Sequence, residues 1–74
     1  MKAKKEKVRL QFDFSEEAVQ RLDGLVTATE SATRAEVIRN ALRVYDYLVR
    51  KDKDGYEIEL VKEGDGKVKP ALVF

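Results

Sequence analysis

The sequence predicts a mainly α-helical fold with one short β segment ahead of two helices and a β-hairpin behind them. Three observations carry that reading. Apolar and polar residues alternate strictly in VRLQFDF (8–14), an amphipathic stretch opens at Ser15, and a capping box at Thr33 opens a longer one. The 74 residues suffice for one small domain. A lone core of this size supplies only about 3–5 kcal/mol, so such chains lean on disulfides, a metal or a partner subunit. Cysteine and histidine are both absent. Disulfide frameworks, Cys/His zinc sites and His- or Cys-based catalysis are thereby excluded, and oligomerisation remains. Apolar runs are short and none follows MKAKKEK, so neither a membrane span nor a signal peptide is expected. The cysteine-free composition fits a cytoplasmic protein.

In the first segment Val8, Leu10, Phe12 and Phe14 alternate with Arg9, Gln11 and Asp13, the pattern of a strand with one apolar and one polar face. No hairpin partner lies nearby in sequence. An isolated strand leaves a row of unpaired N–H and C=O groups, so either the C-terminal region or a second copy of the chain must pair with it. Ser15 then serves as an N-cap, with Glu16 and Glu17 in the first turn where carboxylates favour the helix dipole. Ala18, Val19, Leu22, Leu25 and Val26 recur on one helical face. Gly24 costs this helix roughly 1 kcal/mol relative to alanine. TATESAT (27–33) is poor in helix formers, which ends the helix near Thr29. The second helix opens at Thr33 with Glu36 three positions on. It carries Val37, Ile38, Ala41, Leu42, Val44, Tyr45, Leu48 and Val49, and should fade over Lys51 to Asp54 before Gly55. Its apolar stripe is wider than one short helix and one strand can cover, a second argument for a dimer. Beyond it YEIELVK (56–62) alternates again. Asp65-Gly66 is a hairpin-turn dipeptide, and KVKPALVF returns as a second strand that Pro70 confines to an edge.

Charge is unevenly placed. Residues 1–51 carry eleven basic and eight acidic side chains, a balance of +3, and residues 52–74 carry four and six, a balance of −2. Lys2, Lys4, Lys5 and Lys7 against Glu6 make the first seven residues a basic arm, which suits either a polyanionic target or a solubilising tail. Two copies that pair their 8–14 strands antiparallel form a two-stranded ribbon with the helices beneath its apolar face. The upper face then presents Arg9, Gln11 and Asp13 from each chain. Such a ribbon fits the major groove of B-DNA, where Arg donates twice to guanine and Gln pairs bidentately with adenine.

VRLQFDFSEEAVQRLDGLV followed by TRAEVIRNALR resembles the ribbon-helix-helix family of bacterial transcription regulators, over about residues 7–50. The likeness rests on the alternating strand ending in Phe-Ser and on the capped Thr-Arg-x-Glu-Val-Ile-Arg opening of the second helix. It implies an intertwined homodimer with an intermolecular antiparallel ribbon, to which the hairpin read from residues 56–74 is an extension. The divisions are a basic arm (1–7), a DNA-binding and dimerisation domain (8–51) and a C-terminal extension (52–74). It implies base reading by Arg9, Gln11 and Asp13. A phosphate would be gripped by backbone N–H groups around Thr33, Arg34 and Ala35, as a helix N-terminus favours, with Lys5 and Lys7 adding phosphate contacts. Val8, Leu10, Phe12, Phe14, Val19, Leu22, Val26, Val37, Ile38, Ala41, Leu42 and Tyr45 form the dimer core. Two departures stand out. Family members often carry glycine between the helices, where this chain has Glu30-Ser31-Ala32. The third reading position is the carboxylate of Asp13, which either pairs across the ribbon with the other copy's Arg9 or accepts from cytosine N4.

Arg39, Arg43 and Arg50 read as a solvated helix face, Tyr45 and Tyr47 as core or interface residues, and Glu57, Glu59, Glu63 and Asp65 as a solubilising strand edge. No nucleophile–base pair, phosphate loop or metal cluster can be assembled. The expected protein is a non-enzyme without cofactor or metal: a homodimeric, sequence-specific regulator, a repressor, with double-stranded DNA as partner and room for further assembly along it. The alternative is the antitoxin of a toxin–antitoxin pair, with residues 52–74 holding the toxin. A third reading is an interaction module whose ribbon no longer meets DNA.

Overall fold

A computed structural model describes residues 7–74. Within them lie two helices, α1 (Glu16–Ala28) and α2 (Arg34–Lys53), and a two-stranded antiparallel sheet of β1 (Leu60–Lys62) and β2 (Gly66–Val68). The expected boundaries of both helices are met to within a residue, and the capping chemistry shows why. Ser15 is in extended backbone, and its hydroxyl accepts from the Ala18 N–H at 3.1 Å, satisfying one of the donors a helix start leaves open. At α2 the Thr33 hydroxyl accepts from the Glu36 N–H at 3.1 Å, while the Glu36 carboxylate reaches back to the Ala32 N–H at 2.7 Å. The reciprocal bond thus lands one residue earlier than in a standard capping box, on the residue before the cap.

Both helices end in the same device. At α1 the Ser31 N–H donates to the Val26 carbonyl at 3.0 Å and the Glu30 N–H to the Thr27 carbonyl at 3.1 Å. At α2 the Tyr56 N–H donates to the Lys51 carbonyl at 3.0 Å and the Gly55 N–H to the Asp52 carbonyl at 3.1 Å. These are Schellman pairs, and each needs a residue in left-handed backbone just past the cap. Gly55 takes that place with φ +95°, whereas at the first helix it is Glu30, with φ +55°. The turn without glycine therefore keeps the glycine conformation. The Thr29 hydroxyl, bonded to the Leu25 carbonyl at 2.7 Å and within 2.7 Å of the Ser31 hydroxyl, reinforces it.

The hairpin exists, with two corrections. Its strands are shorter than the alternation of 56–62 suggests, because Lys69-Pro70 cannot continue the ladder and only Leu60↔Val68, Val61↔Lys67 and Lys62↔Gly66 pair. Asp65-Gly66 is not a two-residue turn. The loop is Glu63-Gly64-Asp65, closed by the Asp65 N–H on the Lys62 carbonyl at 3.1 Å, with positive φ at Gly64 and Gly66. Two glycines, rather than one, set this register.

Among the described residues the expected strand at 8–14 does not form. Residues 7–15 join no ladder, and β1 and β2 pair only with each other. A strand requires a neighbour for its N–H and C=O groups, and here the C-terminal hairpin does not supply one.

Burial is slight. Val37, where the two helices meet, is buried, and it is the one buried hydrophobic among the described residues. The chain exposes 7446 Å², against about 4,700 Å² for a compact protein of its size. Its radius of gyration is 16.3 Å, where about 11 Å is usual. No helix among the described residues is long and apolar enough to cross a membrane.

Candidate nucleic-acid interface

The first element of the site is the segment leading into α1. Phe12 and Phe14 have ring centroids 6.5 Å apart, the spacing expected for i and i+2 on one side of the segment. They line a concave cleft with Val19, Leu22, Arg34 and Ile38, so this apolar row meets the groove between α1 and α2. The cleft is open: Phe12 remains 69% exposed and Ile38 44%. Arg9, Gln11 and Asp13 are exposed, and none makes a side-chain hydrogen bond or ion pair with another described residue. Of the basic arm, Lys7 is described and exposed, while Lys2, Lys4 and Lys5 lie outside the described residues.

The second element is the start of α2. The first backbone bond of the helix runs from the Val37 N–H to the Thr33 carbonyl at 3.4 Å. Thr33 already serves the Glu36 N–H. That leaves the N–H groups of Arg34 and Ala35, in the exposed first turn, as donors an incoming oxygen can use. The Arg34 side chain is engaged elsewhere. Its Nε donates to Asp23 Oδ1 at 2.8 Å and its Nη2 to Asp23 Oδ2 at 3.0 Å, a two-pronged bond that ties α2 back to α1. This hydrogen bond holds the Asp23 carboxyl below its ordinary range; desolvation opposes it, and the charge of Arg34 adds a lesser lowering. The same bond, then the carboxylate's charge, raises Arg34.

The residues expected in a dimer core divide by position. Val37 is buried, and Val19, Leu22 and Val26 are half-buried between the helices. Val8, Leu10, Leu42 and Tyr45 are at least half exposed, and Ala41 is exposed as well. The uncovered part of α2 continues into a second apolar groove lined by Leu25, Val37, Ala41 and Val44. Further along, Tyr45 meets Phe74 edge-on at 5.7 Å, and the Lys51 ammonium lies 5.5 Å and 4.9 Å from the Tyr47 and Tyr56 ring centroids. The acidic strand edge expected at Glu57 and Glu59 is paired with the returning strand, through Lys69 at 3.1 Å and Lys67 at 4.0 Å.

The Asp23–Arg34 bond is the feature of this region that sequence reasoning missed. The residues are eleven apart and lie on separate helices, so no single-helix periodicity pairs them. The turn between α1 and α2, with Glu30 in left-handed backbone, joins the two helices that carry them. Comparison of the chain with protein-family models, with curated proteins and with solved structures gives no match.

Proposed function

We propose that the chain is a homodimeric, sequence-specific DNA-binding regulator, acting as a repressor, of the ribbon-helix-helix kind. The observation that carries this reading is the state of residues 8–14. An alternating segment sets its phenylalanines along an open cleft of the helix pair, has no strand partner among the described residues, and leaves Arg9, Gln11 and Asp13 unengaged by them. A second copy offers the same segment, and antiparallel pairing through a two-fold axis satisfies both. Leu10, Phe12, Leu42 and Tyr45, each at least half exposed, give the described residues apolar surface that a second copy can cover. On the resulting ribbon, Arg9 and Gln11 read base edges and the Arg34 and Ala35 N–H groups take a backbone phosphate. Lys7 and the lysines before it add attraction that does not depend on sequence.

Selection of bound sites from a random duplex library tests the reading. The expected result is a palindromic motif whose affinity falls steeply with salt. Recovery of no enriched motif, with the chain monomeric at micromolar concentration, refutes it. A second reading, the antitoxin, draws support from the hairpin, which leaves Leu60, Val61 and Val68 60%, 68% and 61% exposed. Co-purification of a neighbouring gene's product, abolished by Leu60→Lys but not by Arg9→Ala, would favour it.

A further inference from the structure

We infer that Asp23 is a charge governor of DNA binding: it holds the Arg34 guanidinium at the mouth of α2 and withholds one positive charge per protomer from the phosphate backbone. The inference rests on the DNA-binding reading and deepens it. Arg34 is the first residue of α2 and lies beside the two N–H donors of that turn. An unengaged arginine there would be a strong, sequence-independent phosphate contact, because its planar fork matches phosphate as it matches carboxylate. In this chain the fork is filled. Nε and Nη2 both donate to Asp23, and the charges cancel locally.

The pair is accessible, with the Arg34 and Asp23 side chains 58% and 51% exposed. An exposed ion pair contributes little to stability, so the chain does not depend on Asp23 to fold. What the carboxylate changes is the field met by an approaching polyanion. A regulator must discriminate its operator from a large excess of other duplex, and every extra phosphate contact strengthens both alike. Suppressing one such contact leaves a larger share of the affinity to Arg9 and Gln11.

The test uses the full chain and its variants Asp23→Asn, Arg34→Gln and the double variant, titrated onto a random-sequence duplex over a range of salt. Asn keeps a hydrogen-bond acceptor for Arg34 and removes only the charge. Asp23→Asn is expected to bind several-fold to roughly tenfold tighter near 0.1 M salt, with the salt slope steeper by about 0.9 per protomer, the signature of one added phosphate. Arg34→Gln alone is expected to weaken binding, because it bares the Asp23 carboxylate to the phosphates, and Arg34→Gln in the Asp23→Asn background to cancel the gain. A wild-type chain that binds duplex while Asp23→Asn shows the same slope, or weaker binding, overturns the inference and leaves the DNA-binding reading standing. Absence of salt-dependent duplex binding in both chains removes the two together. Melting curves of each variant separate a charge effect from a loss of fold, since a purely structural strut would move the melting point without moving the slope.

Discussion

Replacing Glu30 by glycine should stabilise the protein. Glu30 holds φ +55° because the Schellman bonds at the end of α1 demand left-handed backbone there, and an L side chain in that region costs about 1–2 kcal/mol. Glycine removes that strain and gives back about 0.5–1 kcal/mol through its greater freedom in the unfolded chain. The Glu30 side chain is exposed and makes no ion pair with a described residue, so nothing else is lost. The net expectation is a gain of about 0.5–1 kcal/mol per chain. With an unfolding entropy near 2.1 cal/mol/K per residue over 74 residues, that is a rise of roughly 3–6 °C in melting temperature at fixed protein concentration. The assay is thermal unfolding by circular dichroism of Glu30→Gly, Glu30→Ala and Gly55→Ala. Alanine at 30 retains the Cβ and should gain nothing. Gly55→Ala should cost about 1 kcal/mol, since a Cβ there meets no atom within 4 Å and only the φ of +95° opposes it. Equal stabilisation by Glu30→Ala and Glu30→Gly would refute the reasoning, because the effect could not then come from the backbone angle.

Other substitutions address the remaining elements. Ile38→Lys puts a charge in the open cleft beside Phe12 and Phe14. It should convert a dimer to an unfolded or monomeric chain in sedimentation, while wild-type melting should rise with concentration. Arg9→Ala should cost about 1–3 kcal/mol on the selected site and blur one base position, whereas Lys7→Ala should weaken all duplexes alike and flatten the salt slope by about 0.9 per protomer. Asp13→Asn should tighten binding and lower selectivity if the carboxylate pairs with Arg9 across the ribbon; weaker binding with relaxed preference at one C·G pair points to base contact instead. The depressed Asp23 carboxyl gives stability that is fully present above the unfolded carboxyl value of about 3.9 and is lost as pH falls through its lower folded value. Because the pair is exposed that contribution is small, and the direct check is an NMR titration, in which the Asp23 carboxyl should protonate at lower pH in the wild type than in Arg34→Gln.

Local chemistry made much of this fold legible. Ser15, Thr33 with Glu36, and Gly55 each act within four residues of themselves, and each helix boundary falls where those side chains place it. The hairpin is half legible: the alternation of 56–62 locates it, but with positive φ at both Gly64 and Gly66 the loop begins two residues before Asp65-Gly66 and runs to three residues. The strand at 8–14 was read from a periodicity that describes faces and says nothing of partners, so its ladder is missing from a single chain. At the candidate site Arg9, Gln11 and Asp13 are exposed, but so are Val8, Leu10 and Phe12, so exposure does not separate the two faces that the alternation implies. The Asp23–Arg34 bond stayed hidden because it depends on the path of a turn, and a glutamate in glycine's conformation gives no sign of that path in sequence.

The near-absence of an interior has a consequence for regulation. A chain that shields little beyond Val37 has little reason to stay folded by itself. On the proposed pairing, the folded fraction grows faster than the number of molecules made, and a sparse population is left to proteolysis. Such a protein would be nearly silent at low abundance and switch on over a narrow range of synthesis, a threshold that comes from an unfinished core and requires no effector.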